Sequence, residues 1–135
     1  MNYEELSEKY QEAINMSDSN NAHKIITSIV REAACNFPRD NEEALSWFKN
    51  ALKHESKKWF VAKVLTKVNP VPQALFEDLV LSALLERNPS SNRYLIEPCV
   101  KTFGVQEVLS KMEELSSLQE IVDNNGFEQV KYWVR

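Results

Sequence analysis

The chain has 135 residues, enough for one domain with a sizeable core and too few for two ordinary ones. A hydrophobic fraction of 43% and a charged fraction of 27% exclude a disordered chain. The net charge of -4 argues against general affinity for nucleic acid or an anionic membrane, both of which require a basic surface.

The start NYEELSEKY has neither the basic residues nor the apolar run of a signal peptide. The longest apolar stretch, Leu79–Leu85, is far too short to span a bilayer and contains Ser82. Cys35 and Cys99 stand far apart and imply no disulfide framework, so a reduced, cytoplasmic location is expected. Only two glycines are present, and the β-branched residues fall at helical rather than alternating spacing, which predicts an all-α fold.

The first predicted helix runs from Tyr3 to about Met16, with Tyr3, Leu6, Tyr10, Ala13 and Ile14 on its buried face. The cluster Asp18-Ser19-Asn20-Asn21 caps a second, striped by Ala22, Ile25, Ile26, Ile29, Val30 and Ala33 and closed by Pro38. Asp40 is the expected cap of the third, with Glu43 in the capping-box position and Ala44, Leu45, Phe48, Ala51 and Leu52 buried. Ser56 opens the fourth, whose stripe is Phe60, Val61, Val64, Leu65 and Val68. The turn NPVP separates it from a fifth, from Pro72 to Arg87, which is apolar nearly all round and should be the most buried. The sixth, starting near Ser91, includes YLIEPCVKTF and ends at Gly104. Its apolar stripe stays in phase across Pro98, which predicts a bend rather than a break. Val105, Val108, Leu109, Met112 and Leu115 stripe the seventh. Ser117 and Glu120 form a further capping box before Leu118, Ile121 and Val122, and Phe127, Val130, Trp133 and Val134 make a last helical face.

The even-numbered helices repeat. Ile25, Phe60 and Leu95 follow one another at a constant interval, and so do Ile29, Val64 and Cys99, and Ala33, Val68 and Phe103. The helices between them also correspond: Ala44, Leu45 and Phe48 match Leu75, Phe76 and Leu79, then Val108, Leu109 and Met112. A helix-pair repeat of this length stacks into an α-solenoid. The units YLIEPCVKTFG–VQEVLSKMEEL and WFVAKVLTKV–PQALFEDLVLSALLE resemble the HEAT-repeat family, whose first helix is often bent at a proline. The resemblance implies a short right-handed superhelix of antiparallel pairs: a capping helix at 1–17, three degenerate pairs over 22–116, and capping helices over 117–135. Ser28 and Lys63 stand where Pro98 would recur, and the family's inner-turn aspartate and arginine are not evident.

No catalytic, cofactor or metal motif is expected. His23 and His54 are isolated, neither cysteine has a CxxC partner, and two glycines cannot build a phosphate-binding loop. The adjacent carboxylate pairs, such as Glu42-Glu43 and Glu113-Glu114, belong on solvated helix faces. Charge is unevenly spread: nine acidic and four basic residues precede Ser46, whereas Ser46–Lys67 has six lysines and one acid, Glu55. This tract, with Trp47, Trp59 and Phe60, reads as a lysine-rich solvated face.

In such repeats the second helix of each pair lines the concave side. Glu43, Trp47, Asn50 and His54 share one helical face opposite the core stripe. Asp78, Leu81 and Leu85, with Ala74, take comparable positions on the fifth helix, and Glu107, Lys111 and Glu114 on the seventh. Trp47 either anchors this groove or packs against the first helix. The expected function is non-catalytic binding of another protein or peptide of basic character, a small inhibitor or immunity protein being one specific form. The alternative is a HEAT-like DNA-binding protein or a relative of the HEAT-like DNA-repair glycosylases, to which Trp47, Trp59 and Asp78 point; those enzymes are longer and present a basic groove.

Overall fold

The computed structural model describes residues 2–135, and among these it contains nine α-helices and no strand. They are α1 (Tyr3–Ile14), α2 (Ser19–Ala34), α3 (Glu42–Ala51), α4 (Lys57–Leu65), α5 (Phe76–Leu85), α6 (Arg93–Phe103), α7 (Val105–Leu115), α8 (Gln119–Asn124) and α9 (Gly126–Lys131). No described helix is long and apolar enough to cross a membrane. The chain forms two compact units, one ending at Val68 and the other Asn69–Arg135.

In the first unit α2 packs on α1 and α4, and α4 also receives α1 and α3. Asn2 and Asp18 cap α1 and α2 through their side chains, which accept from the Glu5 and Asn21 amides. The cap of α3 is Asn41 rather than Asp40: its Oδ1 accepts from the Ala44 N–H at 3.0 Å, which shifts the helix start by one residue and removes Glu43 from the capping-box position. Aromatic rings fill the centre. Phe48, fully buried, lies 4.8 Å from the Tyr3 ring and 5.0 Å from Phe37, and Tyr10 meets Phe60 at 5.6 Å. Ile14 is not part of this core. It ends α1 at 45% exposure, and Ser7 takes the inner face instead, its hydroxyl satisfied by the Glu4 carbonyl.

In the second unit α5 packs against α6, α7, α8 and α9. Its apolar circumference is used accordingly: Glu77 is its one exposed residue, and Leu79, Val80, Ala83 and Leu84 are completely buried. The segment after Pro72 first makes one tight 3-10 turn, Gln73–Leu75, so the α-helix begins later than the sequence pattern suggests. α6 runs without interruption through Pro98, which is buried together with Leu95, Ile96 and Cys99. The lost N–H falls on a helix whose stripe is buried on both sides of the proline, so packing holds the two halves together. Gly104 links α6 directly to α7 with φ 88 and ψ 160, a region open essentially to glycine alone. Gly104→Ala should therefore cost about 1–3 kcal/mol in chemical denaturation although no atom crowds the new Cβ.

Ser117 does not cap α8. Leu118 occupies that position without a side-chain bond, and Ser116 turns its hydroxyl back to the Met112 carbonyl. Of the apolar residues there only Ile121 is buried; Leu118 and Val122 are exposed. The last helical face is anchored by Val130 and by Trp133, whose Nε1 donates to the Pro89 carbonyl at 3.1 Å and whose ring lies under Arg93.

Of the positions expected to recur, Ile29, Val64 and Cys99 are buried, and so are Phe48, Leu79 and Met112, whereas Ile25, Ala44, Phe103 and Leu109 are only half-buried.

Candidate partner-binding face

The beginnings of α1 and α3 enclose a depression of about 400 Å3 lined by Asn2, Tyr3, Glu4, Asn41, Glu43, Ala44 and Trp47. Trp47 forms its wall. The indole is half-buried and packs against α1: its ring centroid lies 5.9 Å from Tyr3, with edge-on contacts to Phe48 at 5.1 Å and Phe60 at 6.1 Å. Its Nε1 donates to Glu4 Oε1 at 3.2 Å, and Lys57 Nζ reaches the same oxygen at 2.9 Å. An indole N–H that is half withdrawn from water needs such an acceptor, and the ring is thereby fixed.

The bonds from Lys57, first, and from Trp47 hold the Glu4 carboxyl below its ordinary range. The unfolded chain lacks this preference, so the stabilisation is complete above the ordinary carboxylate value and disappears as pH falls through the folded one. Titrating to acid pH should loosen Trp47, read as a change in its fluorescence, and Glu4→Gln should abolish that step.

Of the four residues expected on the α3 face, Glu43 and Asn50 are exposed and Trp47 stands between them. His54 does not belong to this face. α3 ends at Ala51, and His54 lies in the following turn, where its Nδ1 accepts from the Ser56 and Lys57 amides at 3.2 and 3.4 Å. Ser56 holds the N-cap position of α4 as expected, but without a side-chain bond, and the His54 ring supplies the acceptor instead.

In the second unit, Asp78, Leu81 and Leu85 line one side of α5, each half-buried. Ala74 precedes that helix, in the 3-10 turn. Glu107 and Glu114 are exposed on α7, and Lys111 is tied down: its Nζ lies 3.1 Å from Glu114 and 3.8 Å from Glu77 of α5. The Glu114 bond raises the Lys111 pKa above the ordinary lysine range. The α5–α7 ion pair is at Glu77 and Lys111, whereas Leu85 lines a depression with Glu120, Asp123 and Asn124 of α8.

Sequence reasoning missed Glu4 and Lys57. The signal was present in the need of a tryptophan for an acceptor, but no local spacing ties position 4 to position 47. The lysine tract is correspondingly less uniform than it reads: Lys57 is engaged, Lys58 lies over the Trp59 ring at 5.1 Å, and Phe60 is buried. Burial pushes the Cys99 thiol up to about 12, whereas Cys35 is exposed. A thiol reagent should modify Cys35 alone in the native protein and both cysteines after denaturation. Among the described residues no group of three or more His, Cys, Asp or Glu side chains is placed to hold a metal ion. No family model, curated protein or solved structure gives a significant match to this chain.

Proposed function

We propose that the chain is a HEAT-like helix-pair repeat protein without catalytic activity, which docks a basic segment of a partner protein on the α3 face. The repeat reading is supported inside each unit by packing between helices two apart in sequence, α2 with α4, α5 with α7 and α7 with α9, and by the pair α6 with α7. Stacked helix pairs bury their stripes in this way. In the first unit α1 packs with α2 and α3 with α4, while α2 and α3, the first expected pair, make little contact. The resemblance then implies a short right-handed superhelix, with a cytoplasmic inhibitor or immunity protein as one specific form.

The observation that carries the functional reading is the depression itself, where the exposed Glu43 stands beside the uncovered edge of Trp47. The indole is held by α1 and is a fixed wall rather than a free anchor, and Glu4 is already paired with Lys57. A lysine or arginine from a partner would meet the Glu43 carboxylate next to an aromatic edge. Asn50 extends this face along α3. In the second unit the proposed contacts are Asp78, Leu81 and Leu85 on α5 and Glu107, Lys111 and Glu114 on α7. Glu43→Lys tests the reading: stability should fall by about 1 kcal/mol, the cost of replacing an anion by a cation in the first turn of α3, while affinity for a basic partner falls about tenfold. Unchanged affinity would remove the α3 face.

For the glycosylase-like alternative, the aromatic residues available to stack on bases are few, with Phe60 buried and Trp47 packed on α1. Gel shifts with duplex or single-stranded DNA should show only salt-sensitive binding, roughly micromolar or weaker at physiological salt.

A further inference from the structure

A second surface of opposite character lies in the same unit. Ile26, Val30 and Ala34 follow one another along α2 and floor a groove of about 740 Å3 whose other side comes from α4 and the residues just after it. Ile26 and Ala34 are only half-covered, so the floor is open. Arg31 and Lys67, both exposed, stand at its margin, with Lys63 and His23 also lining it. None of the described residues lining the groove is acidic, in a chain with 20 acidic and 16 basic residues. The hydroxyls of Thr27 and Thr66 are used locally, donating to the His23 and Lys63 carbonyls at 2.8 and 2.6 Å.

We infer that this groove docks an acidic amphipathic segment of a protein, its apolar side chains on Ile26, Val30 and Ala34 and its carboxylates toward Arg31 and Lys67. Cations near helix C-termini are favoured by the terminal carbonyls, and Arg31 occupies the last turn of α2 for that reason as well. That preference does not account for a partly uncovered apolar floor beside them. A segment with leucines at helical spacing and glutamates between them satisfies both features. The groove is distinct from the α3 face, so the two proposals stand or fall separately.

The test is fluorescence anisotropy with a labelled synthetic peptide having leucine at helical spacing and glutamate elsewhere. A scrambled peptide of the same composition, an oligothymidylate and phosphatidylserine vesicles serve as competitors. The amphipathic peptide should bind saturably, lose affinity with added salt, and outcompete all three. The double substitution Arg31→Glu with Lys67→Glu should weaken it by about tenfold or more with the far-UV circular dichroism unchanged. If charge reversal prevents folding, Arg31→Gln with Lys67→Gln should weaken binding in the same direction. Absence of saturable binding, equal binding by the scrambled peptide or by the folded variant, or preferential binding of oligonucleotide or vesicles would overturn the inference.

Discussion

Gly126→Ala is expected to destabilise the second unit by about 3 kcal/mol, the upper end for overpacking a buried site. α9 begins at Gly126 and packs against α5 so closely that a Cβ at this position would stand 3.1 Å from the Leu84 carbonyl carbon and closer still to its oxygen. The obstacle is the backbone of Leu84, a fully buried residue of α5, which cannot swing aside as a side chain would. Relief requires α9 to move away from α5, exposing Val130 and Ile121. Thermal unfolding should drop by roughly 10 °C or more, and amide exchange should accelerate in α5, α8 and α9. A change within about 1 kcal/mol would mean that α9 is not seated against α5 in this way. Gly104 supplies the contrast, since its substitution is opposed by backbone conformation alone.

Trp47→Ala should cost about 3 kcal/mol of folding stability, toward the lower end for removal of a large aromatic because the ring is half-exposed. The loss combines three ring contacts, to Tyr3, Phe48 and Phe60, with the Nε1 bond that helps fix Glu4. It also leaves Phe48 beside a void. Trp47→Phe should recover most of the stability, because the core-facing part of the ring is retained and only the bond to Glu4 is lost. Denaturant titrations of the two variants check this ordering. The alanine variant is therefore a poor probe of binding, since any loss of affinity would be mixed with loss of structure.

The helices were legible because their stripes are long and regular: Phe60 to Leu65 on α4 and Leu95 to Cys99 on α6 are buried as their spacing requires. The continuity of α6 through Pro98 was legible for the same reason, as the stripe does not change phase. Helix starts were less so. Asp40 and Asn41 are both good caps, and only the fold of the preceding Phe37-Pro38 turn selects the second. Ser117 matched a capping pattern, yet its neighbour Ser116 and the extended backbone of Leu118 determine where α8 begins. The exposed Ile14 and Val122 show that an apolar residue at a helix end need not face the core.

The α3 face was legible in part. Periodicity placed Glu43, Trp47 and Asn50 together, but it assumed one more turn of helix than α3 possesses, and so included His54. The partnership of Glu4, Trp47 and Lys57 joins residues distant in sequence, and periodicity is silent about such contacts. The groove on α2 was hidden for a related reason: Ile26 reads as core, and its partial exposure depends on which helix packs beside it.

Docking of a partner protein on the α3 face can be read by placing a photoreactive amino acid at position 50, replacing the exposed Asn50 beside Trp47, and irradiating the protein in extract of its source cells. A second probe at the exposed Glu8 of α1 is the control. One predominant adduct is expected at position 50, with a protein carrying a lysine- or arginine-rich segment at the site of attachment. That adduct should be absent from the Glu8 probe and lost when Glu43→Lys is added. Equal labelling from both positions, or an adduct unaffected by Glu43→Lys, would contradict docking on this face.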